Sequence, residues 1–266
     1  MPELPEVETI ARVLRPDLIG REIVSARLLW PRTLATPSAA VFEDSIVGQS
    51  FVGVGRRAKY LQFELSHTTL FVHLRMSGDL ALKPAGAPAD KHDRLHLGLS
   101  DGRVLAFNDT RKFGRVWLVD DPREVIDGLG PEPFDPALTP QVFHDLLHQR
   151  RRQIKTLLLD QHFMAGLGNI YTDESLHFSQ VHPLRLSDTI SLSEAEKLLH
   201  GIRTVLQSGI DHNGASIDWV YRGGSFQNHF RVYGRAGQPC PVCGTPIRRI
   251  VVGQRGTHFC PTCQVM

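Results

Sequence analysis

The spacing of apolar residues changes along the chain, and the first segment has the spacing of a helix. Four apolar residues near the N-terminus recur on one helical face: Val7, Ile10, Ala11 and Leu14. Pro5 suits the first helical position, and Glu3, Glu6 and Glu8 favour the positive end of the helix dipole. The stretch from Asp17 to Gly20 predicts the end of this helix.

Residues 22–120 alternate between apolar and polar positions, which predicts short antiparallel strands. The turn sequence SDGR at 100–103 separates two of these runs, and the loop PAGAPADKHD occupies 84–93. Several short strands at this spacing are typical of a sandwich or barrel. The clearest runs are EIVSARLLW, SFVGVGR, YLQFELS, TLFVHLRMSG, RLHLGLS and RVLAFND.

A proline-rich segment follows the strands and predicts a linker. GLGPEPFDPALTP, at 128–140, carries four prolines. Helical patterns come next, and Ser193 with Glu196 has the spacing of a capping box. The predicted helices are Gln141–Gln149, Ile154–His162, Ile170–Phe178 and Ser193–Gly209.

Length and composition bound the class of protein. The 266 residues suggest about two domains, with 41% apolar and 22% charged residues, as in soluble globular proteins. No run approaches the roughly 20 apolar residues that span a bilayer. The N-terminus has no secretory pattern, so we expect a cytoplasmic protein.

The distribution of charge is more informative than the net charge of +2. From Trp219 to Met266 there are six arginines and no Asp or Glu. Further basic clusters are Arg56-Arg57-Lys59, Arg111-Lys112-Arg115, and Arg150-Arg151-Arg152 with Lys155. This pattern predicts a polyanionic partner on one face.

All four cysteines lie near the C-terminus, in the pattern C-x2-C-x16-C-x2-C. Two such knuckles are typical of a closed, structural zinc site. A pair of disulfides is the alternative, which the absence of an export signal disfavours. The predicted ligands are Cys240, Cys243, Cys260 and Cys263.

The segment between the cysteine pairs predicts a two-stranded ribbon. Its strands are Ile247–Val252 and Thr257–Phe259, and its tip is formed by 253–256. Arg255 would project from this tip, where an arginine suits phosphates or the minor groove of DNA.

A second candidate for phosphate binding is the turn GLGN, which separates two helical segments. Gly166 and Gly168 allow a sharp turn, as helix-turn-helix units need. The following helix would present its first N–H groups together with the Asn169 side chain, which is suited to a DNA phosphate.

Four separated motifs together resemble the formamidopyrimidine-DNA glycosylase family. They are MPELPEVE, NDTRKFG, GLGNIYTDESL and the terminal zinc ribbon, and the resemblance covers nearly the whole chain. It implies an α+β protein of two domains that repairs DNA: an N-terminal antiparallel β-sandwich with a leading helix, and a helical helix-two-turn-helix domain with a zinc-ribbon hairpin. The boundaries it implies are 1–130 for the catalytic sandwich, 131–140 for the linker, 141–236 for the helical domain and 237–266 for the zinc finger.

The resemblance gives Pro2 and Glu3 a chemical role. Removal of Met1 leaves a secondary amine, and a terminal amine is roughly one-seventh neutral at pH 7, whereas lysine is neutral about once in a few thousand. The amine attacks C1′ of the damaged nucleoside, and the resulting iminium promotes strand cleavage by β,δ-elimination. The resemblance makes Glu3 the acid–base residue that carries the proton. For Glu6, a structural role at the start of the helix is as good an interpretation as a catalytic role.

Further site residues follow from the same resemblance. Lys59 engages phosphates near the lesion and assists elimination, and Arg255 grips the lesion phosphates and assists the second elimination. Because the damaged nucleotide must be turned out of the duplex, other side chains must fill the gap. The resemblance assigns Met76, Arg111 and Phe113 to this gap, and His92 and Arg150 to the DNA backbone.

Two departures from the family pattern bear on these expectations. Lys112 stands where arginine is common, and ASIDWVYRGGSFQNHF is short for a lesion-capping loop, with an atypical Asp218. The expected protein is a monomeric glycosylase and AP lyase that removes oxidised purines such as 8-oxoguanine. The alternatives are a sister enzyme for oxidised pyrimidines, a non-catalytic zinc-ribbon DNA-binding protein, and a proline-amine tautomerase.

Overall fold

The computed structural model describes residues 1–216 and 223–266, and it divides into two compact units. The first contains Met1–Asp127 with the described ends of Ser216–Gly224, and the second contains Gly128–Ala215 and Ser225–Met266. Asp218 therefore lies outside the described residues, together with the rest of 217–222 in the middle of the short loop ASIDWVYRGGSFQNHF. The finer four-part division stays a prediction.

The first unit is built from two β-sheets. A four-stranded sheet has the order β1-β7-β8-β6, and a five-stranded sheet has the order β2-β9-β5-β4-β3. The pairs are antiparallel except for β2 with β9, which is parallel and adds a three-residue strand at the edge of its sheet. The strands are β1 Ile23–Leu28, β2 Leu34–Thr36, β3 Phe51–Arg57, β4 Tyr60–Leu65, β5 Thr69–His73, β6 Gly78–Lys83, β7 Asp93–Leu99, β8 Val104–Asp109 and β9 Arg115–Val119.

The described residues of this unit include three α-helices, and the first one packs mainly against the five-stranded sheet. Its apolar face enters a core shared by both sheets, which includes Leu14, Phe63 and Phe107. Burial of such a continuous apolar cluster is the main source of the unit's stability. The helices are α1 Leu4–Leu18, α2 Ala39–Ile46 and α3 Arg123–Ile126.

The second unit contains four α-helices. They lie close to the predicted segments, but the second is shorter, since it ends at Leu158 rather than His162. Gly166 adopts a positive φ in the turn before the third helix, as the two-glycine pattern predicts. The helices are α4 Pro140–His148, α5 Ile154–Leu158, α6 Asn169–Phe178 and α7 Leu192–Asp211.

The predicted capping box of the last helix was displaced by two residues. The N-cap is Ser191, whose side chain accepts from the Glu194 N–H at 3.3 Å, while the Ser191 N–H donates to Glu194 at 2.8 Å. The stretch SLSEAE contains two overlapping boxes, and Arg185 decides between them by binding Glu194 at 2.8 Å.

The C-terminal ribbon consists of β10 Arg248–Val252 and β11 Arg255–Phe259, paired antiparallel. Val252 pairs with Arg255, so the turn contains only Gly253 and Gln254, both with positive φ. Positive φ at both central residues is the signature of a tight hairpin turn that matches strand twist. The prediction of a four-residue tip was therefore wrong, and Arg255 begins the second strand.

Within residues 1–216 and 223–266, none of the helices combines the length and apolarity needed to cross a membrane.

Candidate functional site

Residues 2–7 are buried where the chain enters α1, whereas Met1 is 46% exposed. Pro2 is buried, and Glu3 and Glu6 expose only 3% and 2% of their surface. Glu3 is the N-cap, and it forms a capping box with Glu6, whose Oε2 accepts from the Glu3 N–H at 2.7 Å. The structural role foreseen for Glu6 is thus observed, and Pro2 lies at the positive end of the α1 dipole.

Lys59 lies in the turn between β3 and β4, after a strand that packs against α1. Arg56, near the end of β3, binds Glu8 in the first turns of α1 at 3.0 Å. Ala58 adopts a positive φ, which turns the chain sharply before Lys59, and Lys59 is only 5% exposed. The turn that carries Lys59 and the helix that Glu3 caps are therefore in one region of the first unit, since β3 packs against α1.

His73 joins this region, although the sequence did not single it out. It pairs with Tyr60 across β4 and β5, and its Nδ1 accepts from the Arg75 N–H at 3.0 Å. Burial, together with the charges of Arg75 and Lys59, lowers the pKa of His73 to about 3. The imidazole is therefore neutral at physiological pH and caps the turn that follows β5.

Two turns carry the residues predicted to fill the gap in DNA: Met76 lies on one, and Arg111 and Phe113 lie on the other. Both turns are hydrogen-bonded to Asp109. Met76 is half-buried in the turn between β5 and β6, and Phe113 is 51% exposed after β8. The Arg111 guanidinium lies over the Phe113 ring, 5.0 Å from its centre. The expectation that Phe113 acts outside the core is consistent with this exposure.

Lys112, the departure from the family pattern, has a defined place in the same turn. It adopts a positive φ, and its ammonium lies 3.9 Å from the centre of the Trp30 ring. A cation at this distance is attracted by the ring. Lys112 therefore braces the turn that carries Arg111 and Phe113.

His92 precedes β7 and is fixed by its neighbours. Its carbonyl oxygen accepts from the Asp109 N–H at 2.9 Å. The next residue, Asp93, is fully buried at its side chain and binds Lys83 and His96, each at 2.7 Å. Although burial opposes ionisation, hydrogen bonds from Lys83, Asn108 and His96 lower the pKa of Asp93 to about 2.

The four cysteines of the second unit converge. Their sulfur atoms all lie within 4.8 Å of one another, with Cys240 and Cys263 3.9 Å apart and Cys243 and Cys260 3.4 Å apart. Tetrahedral Zn–S bonds of about 2.3 Å require sulfur separations of about 3.8 Å, whereas a disulfide requires about 2.05 Å. The cysteines are free, so this donor set fits one structural zinc, as predicted.

One polar face of α6 carries the zinc ribbon. Asp173 accepts from the His258 N–H at 2.8 Å, and Glu174 accepts from the backbone N–H groups of 231–233. His177 Nε2 lies 3.4 Å from Cys240 Sγ, and both residues are buried. Because a zinc-bound thiolate is only an acceptor, the His177 N–H is the donor in the zinc-loaded protein.

Asn169 and the strand that carries Arg255 are in direct contact. The Asn169 side-chain amide donates to the Gly256 carbonyl at 2.9 Å, and Asn169 is the first residue of α6, after the N-cap Gly168. Arg255 is exposed beside this contact. Two of the predicted phosphate-binding groups are therefore neighbours.

The basic cluster at 150–155 is less uniform than the sequence suggested. Lys155 is wholly buried and binds Asp173 at 2.6 Å, so its inclusion in an exposed basic cluster was wrong. Arg152 binds Asp160 at 2.7 Å, and Arg151 lies 3.7 Å from Asp188. Arg150 is exposed and has no ion pair within the described part of the chain.

Several buried polar residues organise these regions but were not foreseen. Asp173 and Glu174 belong to the motif GLGNIYTDESL, in which only the glycines and Asn169 carried a prediction. A pair of acidic residues among apolar ones in a helix was the available signal, because buried carboxylates require partners. The residues missed in this way are His73, Ser77, Asp109, Asp173, Glu174 and His177.

A two-sheet unit that buries Pro2 and Glu3, and a helical unit with a four-cysteine zinc ribbon, define a two-part α+β zinc protein. Three family models match in order: "Formamidopyrimidine-DNA glycosylase N-terminal domain" over 1–116, "Formamidopyrimidine-DNA glycosylase H2TH domain" over 129–220, and "Zinc finger found in FPG and IleRS" over 237–265. The chain belongs to the formamidopyrimidine-DNA glycosylase family. It is a DNA glycosylase for damaged bases and thus a base-excision repair protein.

Relatives match this chain over nearly all of its length. Formamidopyrimidine-DNA glycosylase of Chloroflexus aurantiacus is 47% identical, covering 100% of this chain and 98% of the relative. That of Herpetosiphon aurantiacus is 45% identical, covering 99% and 100%. The complex of Lactococcus lactis Fpg with abasic-site DNA has a TM-score of 0.93 at 36% identity, covering 99% of this chain and 100% of that one.

Proposed function

We propose that the protein is a bifunctional enzyme that removes oxidised purines from duplex DNA and then cleaves the strand. In this proposal the Pro2 amine displaces the damaged base, and an AP lyase step follows by β,δ-elimination. The observation that carries the proposal is the burial of Pro2 and Glu3 at the N-terminus of α1, directly after an exposed Met1. The match over the entire chain to formamidopyrimidine-DNA glycosylases supports it.

The chemistry explains why a terminal proline suits this reaction. The neutral amine forms a bond to C1′ while the bond to the base breaks, and the base leaves with a proton. Opening of the sugar ring gives an iminium. Because it is formed from a secondary amine, its nitrogen carries no proton that could be lost to give a neutral imine. The iminium therefore stays cationic and draws electrons as the 3′ and then the 5′ phosphate leave.

Glu3 is proposed as the proton carrier for the sugar oxygen and the departing base. It adjoins Pro2 in the chain and is nearly buried, which strengthens its interactions with charge that develops at the sugar. Lys59, also buried and in the turn after a strand that packs against α1, is proposed to bind a phosphate near the lesion and to assist elimination.

The DNA partner is proposed from charge and exposure. The exposed Arg255 beside Asn169 suits the phosphates around the lesion, and Arg150 and His92 suit the backbone. Met76, Arg111 and Phe113 are proposed to fill the gap left by the flipped nucleotide. The Lactococcus lactis Fpg complexes with abasic-site DNA and with N7-benzyl-Fapy-dG DNA support this partner.

Borohydride trapping tests the proposed nucleophile. Reduction of the iminium should bind the protein covalently to a duplex that contains 8-oxoguanine, and intact-mass measurement should find the chain without Met1. Pro2→Gly should reduce trapping strongly, and Glu3→Gln should slow base release by about 100-fold to 10,000-fold. Glu22→Gln, an exposed carboxylate of the same unit, is the control and should match the parent protein.

The same assay separates the alternatives. A protein that binds the duplex but is never trapped would be a non-catalytic zinc-ribbon protein. Faster release of oxidised pyrimidines than of 8-oxoguanine from matched duplexes would favour the sister specificity. A chain that retains Met1 and still excises and nicks would contradict Pro2 as the nucleophile.

A further inference from the structure

The turns that carry Met76 and Arg111 are joined through one buried carboxylate. Asp109, at the end of β8, is fully buried. Its Oδ1 accepts from the Ser77 hydroxyl and from the Arg111 N–H, the latter at 3.2 Å. Its Oδ2 accepts from the Gly114 N–H at 2.7 Å. A single side chain therefore closes the second turn and binds it to the first.

Ser77 completes the junction from the other turn. It is buried, and its Oγ accepts from the Arg111 N–H at 3.1 Å while it donates to Asp109. Ser77 directly follows Met76 in the chain. Any displacement of Ser77 therefore moves Met76 and loosens the backbone at Arg111 together.

Close packing of two glycines on one ring supports the same junction. Gly78 follows the first turn and Gly114 ends the second, and both lie against Phe107. A Cβ at Gly78 would come within 2.9 Å of the ring and 2.5 Å of the Leu74 carbonyl, and one at Gly114 would overlap the ring. The two turns are thus held together by their packing on the Phe107 ring and by their hydrogen bonds to Asp109.

We propose that Asp109 and Ser77 are positioning residues that hold Met76, Arg111 and Phe113 as one preformed unit for insertion into DNA. This inference rests on the proposed function, which assigns those three side chains to the gap. Preformed geometry lowers the ordering cost at the moment of insertion. Neither Asp109 nor Ser77 is proposed to touch DNA.

The first readout is hydrogen exchange of the free protein, which needs no activity. In Ser77→Ala and Asp109→Asn, the peptide that covers 109–116 should exchange faster, because the Arg111 and Gly114 N–H groups lose acceptors. Thr110→Ser changes an exposed residue of the same turn and is the matched control. Unchanged exchange in both variants would overturn the junction itself.

The second readout compares two substrates in the same duplex. Excision of 8-oxoguanine should fall by about 10-fold to 100-fold in Ser77→Ala, whereas cleavage at a preformed abasic site should fall by less than about threefold, because it has no base to unstack. Ser77→Ala is the milder change and keeps the test valid if Asp109→Asn folds poorly. An equal loss on both substrates, or no loss, would overturn the positioning role.

Failure of the proposed function has a different signature. A parent protein that neither excises 8-oxoguanine nor is trapped on DNA would refute the proposed function, and the positioning role with it. The exchange measurement would still decide whether the junction orders the two turns.

Discussion

At the scale of single residues, the zinc site depends on a group that is not a ligand. His177 lies 3.4 Å from Cys240 Sγ, and its N–H offsets part of the negative charge that four thiolates bring to one zinc. Partners of this kind orient metal ligands and raise metal affinity. The ligand pattern in the sequence contains no sign of His177, because it lies 63 residues before Cys240.

His177→Phe should therefore lose zinc faster than the parent protein, by about 10-fold to 100-fold. Zinc transfer to a chromogenic chelator measures this rate without reference to DNA. His182→Phe is the control, since His182 packs edge-on against the Phe259 ring of the same ribbon. Equal zinc release from both variants would refute the role of the N–H group.

A second prediction concerns the buried imidazole of His73, whose pKa is lowered to about 3. Between about pH 6.5, the ordinary pKa of histidine, and about pH 3, the unfolded chain binds a proton at His73 that the folded chain does not. Stability is therefore fully present above about pH 6.5 and is lost progressively as the pH falls towards about 3.

His73→Asn keeps an acceptor for the Arg75 N–H and removes this titration. Between about pH 7 and about pH 5 its free energy of unfolding should fall less than that of the parent, by up to about 2 kcal/mol. Urea denaturation at the two pH values measures the difference. His67→Asn, at an exposed histidine, should keep the parent's pH dependence.

At the scale of secondary-structure elements, helix boundaries were decided by neighbours rather than by local pattern. Both Ser191 and Ser193 have a glutamate three residues later, so either could begin α7. The helix begins after Ser191 because Arg185 binds Glu194 and Ile190 is buried. A correct choice required contacts from outside the segment.

Ser191→Ala should lower the free energy of unfolding by about 1 kcal/mol, because the Glu194 N–H loses its capping partner. Ser193→Ala, in the first turn and exposed, should change it by less than about 0.5 kcal/mol. Chemical denaturation of the full chain compares the two. If Ser193→Ala lowered the free energy of unfolding more than Ser191→Ala, the capping box predicted from Ser193 and Glu196 would be the correct one.

At the scale of the whole molecule, the zinc ribbon is the part least able to fold alone. Its apolar cluster contains only Val232, Ile247, Cys240 and Cys260, with Cys263 packed beside them. A core of this size cannot offset the conformational entropy that is lost when the ribbon becomes ordered. Metal binding therefore supplies much of its folding free energy. The first unit has its own large core and does not share this dependence.

Removal of zinc should therefore weaken binding to lesion DNA by at least about tenfold, because Arg255 loses its fixed position. Fluorescence anisotropy with a labelled duplex measures binding, and metal analysis verifies that zinc is absent. Added zinc should restore the affinity. Full binding by verified metal-free protein would contradict the role of the ribbon.

Much of the candidate site was predictable because its signals are local. The cysteine spacing defines a tetrahedral ligand set whatever surrounds it, and a chain that starts Met-Pro-Glu carries its own amine and carboxylate. The alternation of apolar residues over 22–120 likewise predicted two-sided strands, since side chains alternate along any extended chain.

What only the tertiary structure decided are the contacts between segments distant in sequence. Lys155, which the sequence places in a basic cluster, is buried against Asp173, and Arg255 lies in a strand rather than in the hairpin tip. The junction of Ser77 with Asp109 joins residues 32 positions apart. Local patterns determine which groups are present and how the chain alternates, whereas burial and pairing depend on what packs against each group. The sequence alone therefore determined the chemistry this protein carries, and the fold decided which residues hold it in place.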